Sequence, residues 1–216
     1  MFASIRRYRL DSGSMDDLTR RVDEGFADQI AEQPGFVSYE FLDCGDSRVM
    51  TISVFRDADG AEASRDLAQR WSEAELGEFD FTRTEALRGE IMVSRAAQGI
   101  LEPGHAGTER KFASVRRYAL RGGSMADVMH IVDETFAEDM QETTGFMAYH
   151  TLDCGDGTIM SISLFSNRSG AQESDELAGR FVREKLTDFD IERTEAIGGE
   201  IVVSRAMAEV LQPAHA

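Results

Sequence analysis

Phe2-Ala3-Ser4-Ile5-Arg6-Arg7-Tyr8 returns later in the chain as Phe112-Ala113-Ser114-Val115-Arg116-Arg117-Tyr118, an offset of 110 residues. The offset does not drift. Leu42-Asp43-Cys44-Gly45-Asp46 returns as Leu152-Asp153-Cys154-Gly155-Asp156, and Gly89-Glu90-Ile91 as Gly199-Glu200-Ile201. No insertion or deletion is needed, and about half of the aligned positions are identical. A fixed period of this length marks one folding unit written twice. The sequence therefore predicts two repeats, at 1–103 and 112–216. Between them lies a linker at 104–111, where two glycines sit among mostly polar residues.

Each copy reads as strand, helix, strand, strand, helix, strand. In the first copy Phe2 to Leu10 is a strand, and Ser14 can cap a helix that carries Leu18, Val22, Phe26 and Ile30 at helical spacing. Pro34-Gly35 ends it. Phe36 to Leu42 and Arg48 to Phe55 are strands around the turn at Asp43-Cys44-Gly45-Asp46. Asp59 with Glu62, and Ser169 with Gln172 in the second copy, read as capping boxes that open the second helix. That helix places Ser64, Leu67, Ala68 and Trp71 on one face. Thr84 to Arg95 is the last strand, with a short helical tail expected at 96–101.

This order predicts an α+β fold, a ferredoxin-like βαββαβ unit in each copy with both helices on one face of the sheet. The third strand is apolar on both of its faces: Met50, Ile52 and Val54 on one, Val49 and Phe55 on the other. A sheet with one wet face should alternate apolar with polar, so both faces are expected to be covered. The same face of the other copy is the simplest cover. It would give an intramolecular pseudo-dimeric α/β-barrel, with further self-association left open.

The formal charge of -17 disfavours nucleic acid and membrane surfaces as partners. Two cysteines, Cys44 and Cys154, are too few for a disulfide framework and have no metal-ligand spacing. With no signal-like or membrane-spanning run, the expectation is a cytoplasmic protein. No glycine-rich phosphate loop is present, so no nucleotide, flavin or nicotinamide cofactor is expected.

The pair Arg6-Arg7 followed by Tyr8, the run Pro34-Gly35-Phe36 with Tyr39, and a third strand ending in Phe55 resemble the antibiotic-biosynthesis monooxygenase-like family. The resemblance covers nearly all of both copies. It implies the dimeric α/β-barrel fold. It also implies a range of activities, from cofactor-free oxygenation of quinols or anthrone-like compounds to haem degradation. The haem-degrading branch is the poorer match. Its pattern wants an asparagine on the first strand and a histidine on the second helix, and this chain has neither there.

Several residues then become candidates for a substrate pocket. The resemblance places Trp71, the chain's one tryptophan, against a pocket between second helix and sheet; an apolar stripe can equally be core. The second copy has Phe181 there, within Arg180-Phe181-Val182-Arg183 against Arg70-Trp71-Ser72-Glu73. Arg6 and Arg7 point to opposite faces of their strand, as do Arg116 and Arg117, so one of each pair turns inward. A buried guanidinium needs an anion. Either a carboxylate supplies it, with Glu90 and Glu200 as candidates, or a ligand does. Tyr8, Tyr39, Tyr118 and Tyr149 lie on strands at matching positions and could donate to a substrate oxygen. His105, His130, His150 and His215 show no metal-ligand spacing, and no general base stands out.

The functional expectation is a cofactor-independent monooxygenase acting on a small electron-rich aromatic of the quinol, phenol or anthrone type. The competing expectation is a non-catalytic small-molecule binding or stress-response protein with the same fold. A third is a barrel whose pocket is filled by its own side chains.

Overall fold

The computed structural model describes residues 1–97 and 110–207. The elements run β1 (Phe2–Ser12), α1 (Met15–Arg21), a π-helical turn (Val22–Phe26), α2 (Ala27–Ala31), β2 (Phe36–Asp43), β3 (Arg48–Phe55), α3 (Ala58–Glu75) and β4 (Asp80–Ala96). The second set is β5 (Lys111–Gly122), α4 (Met125–Ile131), a π-helical turn (Val132–Phe136), α5 (Ala137–Gln141), β6 (Phe146–Asp153), β7 (Thr158–Phe165), α6 (Arg168–Lys185) and β8 (Asp190–Ala206). The chain is thus α+β, with antiparallel strands.

Local chemistry accounts for most boundaries. Ser14 accepts the Asp17 amide at the start of α1, as its position before the periodic apolar run predicts. The long helices are capped two residues earlier than the expected boxes. Asp57 and Asn167, in extended backbone, accept the amides of Gly60 and Gly170. Asp59 and Ser169 lie inside the first turn instead. A short side chain at the true cap satisfies an orphan amide directly, so it sets the boundary. β4 and β8 begin four residues before the predicted strand. The expected linker end, Lys111, opens β5. The rest of the linker up to 109, the helical tail beyond Ala97, His105 and His215 lie outside the described residues.

The chain divides into two compact units, each described by itself: 1–88 with 199–207, and 89–97 with 110–198. In the first, β1 pairs with β3 from Phe2↔Phe55 to Arg9↔Arg48, and β2 pairs with the other edge of β3. β4 borders β1, and the end of β8 pairs with β2, Tyr39 facing Arg205. The second unit repeats this with β5, β7 and β6, and the end of β4 pairs with β6, Arg95 facing Tyr149. Each unit therefore takes its last sheet segment from the other repeat, unlike a division at the linker. The cause is length. A strand of 17 residues extends about 55 Å, far beyond the usual five or six residues.

In each unit the helices cover one face of the sheet. Val49, Phe55, Tyr39 and Phe41 pack there with Leu18, Phe26, Ile30 and Trp71. Met50, Ile52 and Val54, on the opposite face of β3, are each 1 % exposed. Both faces of β3 are buried, as its apolar pattern requires. No helix among the described residues is long and apolar enough to cross a membrane.

Candidate functional site

In the first unit a cavity lies between α3, the first π-helical turn and the sheet, with about 30 Å³ open to the centres of water-sized molecules. Arg6, Tyr8, Tyr39, Thr51 and Trp71 reach its wall. Tyr8 stacks on Phe81 with ring centroids 4.5 Å apart, and Phe26 stands between Tyr39 and Trp71, 5.3 Å from each. Gly25 lets the indole in. A Cβ there would lie 3.2 Å from the Trp71 ring, tighter than ordinary packing, so a side chain at 25 would require the indole to shift by a few tenths of an ångström.

The guanidinium of Arg6 is 3 % exposed. It donates to Ser64 Oγ at 3.0 Å and Ser53 Oγ at 3.4 Å. No carboxylate among the described residues lies within ion-pair distance of it. Burial lowers its pKa; the phenols of Tyr8 and Tyr39 oppose this, and Arg83 and Arg65 add to it. Burial also raises Tyr8, and raises Tyr39 well above the usual phenol value. Both phenols therefore remain protonated donors. Thr51 lies beside the Tyr8 phenol as a side-chain hydrogen-bond neighbour, which partly offsets the effect of burial there.

The second unit has a cavity of similar size at the same place, walled by Tyr118, Tyr149, Ser161 and Phe181. Its arginine is not on the wall. Arg116, fully buried, donates Nε to Asp175 at 2.6 Å, Nη1 to Ser163 Oγ at 3.1 Å and Nη2 to Ser174 Oγ. Ser114 Oγ also donates to Asp175, at 2.6 Å. Tyr149 accepts from Thr151, whose counterpart in the first copy is Phe41. Asp175 itself has Arg65 as its counterpart, half exposed and paired with Glu62 at 2.6 Å.

The structure thus gathers Arg6, Tyr8, Tyr39 and Trp71 at one cavity, and Tyr118, Tyr149 and Phe181 at the other. Arg7 points to the opposite face and pairs with Glu85 at 3.1 Å, and Arg117 is likewise not on a cavity wall. Glu90 and Glu200 are not the partners of Arg6 or Arg116; α6 supplies Asp175 instead, because that helix lies over the inward guanidinium. Sequence reasoning passed over Thr51, Gly25, Arg65 and Asp175. The signal was available in positions where the copies differ: Gly25 against Thr135, Phe41 against Thr151, Arg65 against Asp175.

Cys44 and Cys154 are free, and burial first, then the neighbouring aspartate, pushes each thiol up to about 11. Such thiols are poor nucleophiles at neutral pH. His130 is exposed beside Glu134. His150 is buried, its Nδ1 3.0 Å from Ser94 Oγ, and burial lowers its pKa from 6.5 to about 4. Its folded pKa lies below its unfolded one, so neutral imidazole is the stable form. The contribution is full above pH 6.5 and is lost as pH falls towards 4. Urea denaturation between pH 7 and 4 should show a loss of about 3 kcal/mol from this group. His150→Gln should flatten that slope; an unchanged slope would place the acid sensitivity elsewhere.

No family model matches the chain, and no curated protein sequence matches it. Solved structures do. A provisionally named monooxygenase from Fusobacterium nucleatum superposes with a TM-score of 0.72 at 6% identity, over 96% of this chain and 94% of that one. A second provisionally named monooxygenase, from Lactobacillus acidophilus, gives 0.65 at 10% identity, covering 95% of each chain. An anthrone oxidase-like protein gives 0.56 at 12% identity, covering 99% and 96%. The likeness is one of fold. A haem-binding protein from Thermus thermophilus shares it, with a TM-score of 0.55. Neither cavity here fits haem: no histidine, cysteine or methionine lines either, and the free volume is about 30 Å³ in each.

Proposed function

We propose that the chain is a monooxygenase-like protein that holds a small electron-rich aromatic in the first unit's cavity for reaction with dioxygen, without a metal or organic cofactor. The observation that carries this reading is a cavity wall made of an indole, two protonated phenols and a buried guanidinium that lacks a carboxylate. Neighbours named as monooxygenases and as anthrone oxidase-like support the kind of activity. In such a reaction a phenol and dioxygen become a quinone and water, or a quinol and dioxygen a hydroxyquinone and water; the substrate supplies all four electrons, and its ring C–H and O–H supply the hydrogens. Arg6 would hold the anion formed when the substrate loses its first proton to solvent, Tyr8 and Tyr39 would donate to its oxygen, and Trp71 would form the stacking wall. The fold part of the proposal keeps the pseudo-dimeric barrel, supported by the burial of the second face of β3.

The cavity is about tenfold smaller than usual ligand pockets, so a single ring suits it better than a tricyclic anthrone. Oxygen consumption with a panel of quinols, phenols and anthrones tests the reading. Trp71→Phe should slow turnover of an active substrate about tenfold, the indole face and N–H being lost. His130→Ala, on the exposed helix, should leave it unchanged. Absence of oxygen uptake across the panel would remove the enzymatic reading.

A further inference from the structure

We infer that the first unit recognises its ligand as an anion at Arg6, in the place where the second unit carries an anion of its own, the carboxylate of Asp175. The inference rests on the proposed use of the first cavity and adds to it the charge of the ligand and the residue pair that sets it.

The two copies bury the same arginine beside the same serines. Arg6 meets Ser53 and Ser64; Arg116 meets Ser163 and Ser174. Only the third partner differs. Asp175 closes the guanidinium of Arg116, whereas the equivalent side chain over Arg6 is the cation Arg65. A guanidinium has five N–H donors and no acceptor, and a serine hydroxyl cannot neutralise it. Arg6, unlike Arg116, reaches the cavity wall.

A second difference points the same way. Thr151 donates to Tyr149, but Phe41 at its place cannot donate to Tyr39, which lines the first cavity. Thr51, a residue 6 % exposed, adds a hydroxyl beside Tyr8 on the same wall. Ser161 stands in the same relation to Tyr118 in the second unit, so this hydroxyl marks both cavities as polar without distinguishing them. What distinguishes them is the supply of acceptors. In the first unit Arg6, Tyr8 and Tyr39 all offer N–H or O–H groups, and Arg65 and Arg83 add positive potential. A buried set of donors is satisfied by a ligand that brings acceptor oxygen and negative charge: a phenolate, an enolate or a carboxylate.

Acetate and benzoate, with the neutral amides acetamide and benzamide as isosteres, serve as probes at pH 7.5 and constant ionic strength. Calorimetry reads stoichiometry and Trp71 fluorescence reads the first cavity. One carboxylate should bind per chain, at least tenfold more tightly than its amide. Arg65→Asp supplies the carboxylate that the second unit has, and should weaken binding tenfold or more. Arg65→Ser, which removes the cation without adding an anion, should weaken it no more than about threefold. Equal binding of carboxylate and amide, or unchanged affinity in Arg65→Asp, would each overturn the inference. Carboxylate binding as expected with no oxygen uptake on any quinol would leave it standing and remove the oxygenase reading. Quinol turnover indifferent to Arg65→Asp would do the reverse.

Discussion

Asp175→Ala is expected to destabilise the protein by about 3–5 kcal/mol, the usual cost of removing one partner from a buried ion pair. Arg116 has no exposed surface, and Asp175 is its one carboxylate contact among the described residues. Without that contact the guanidinium keeps two serine hydroxyls and an uncompensated charge. The Asp175 side chain is 36% exposed, so water can reach the gap and the lower end of the range is expected. Arg65→Ala, at the equivalent position of the first copy, removes a half-exposed surface pair and should change stability by about 0.5 kcal/mol or less. Urea unfolding of both variants compares them directly. Equal small effects would mean that Arg116 is as well satisfied by its serines as by its aspartate.

Phe181→Ala should cost a similar amount, about 3–5 kcal/mol, through the cavity it leaves. Phe181 is 7 % exposed and packs on Phe136 with ring centroids 4.8 Å apart. The void of about 30 Å³ already beside it means that the truncated site has more empty volume to carry, since the surrounding α6 and β-sheet can collapse only partly. Trp71→Phe, by contrast, places in the first unit the ring that the second already accommodates, and should cost less than about 1.5 kcal/mol. The pair of measurements separates ligand chemistry from packing: Trp71→Phe should affect binding and spare stability, Phe181→Ala the opposite. A Trp71→Phe variant that unfolds as readily as Phe181→Ala would show the indole to be core.

Much of this fold is readable because the chain states it twice. The apolar spacing of Leu18, Val22, Phe26 and Ile30 marks the first helix, and the doubly apolar Arg48–Phe55 announces a strand buried on both sides. Two features escape the pattern. The π-helical turns keep helical spacing to within one residue, so periodicity cannot show them. The full length of β4 includes Asp80, Thr82 and Arg83, polar residues that pair as well as apolar ones because a strand's hydrogen bonds are made by its backbone. At the site, Trp71 and the strand tyrosines are legible as types. The partner of Arg116 is not, because Asp175 stands 59 residues away and only the tertiary packing of α6 brings it within reach. The deciding contrast with Arg65 lies in the residues where the copies disagree, which similarity directs the eye away from.

The exchange of β-segments has a consequence for how the chain comes into being. The first unit's sheet is finished by residues 199–207, near the end of the described chain. During synthesis the first repeat emerges with the outer edge of β2 unpaired, a template for any other strand until β8 arrives. The first repeat, made alone, should therefore assemble with a second fragment that offers a β8-like strand, and two separately made halves should complement one another. Closing a sheet across such a span of sequence is slow, because the loop entropy is paid before the contacts reward it. The acidic charge of the chain keeps unfinished copies apart while they wait.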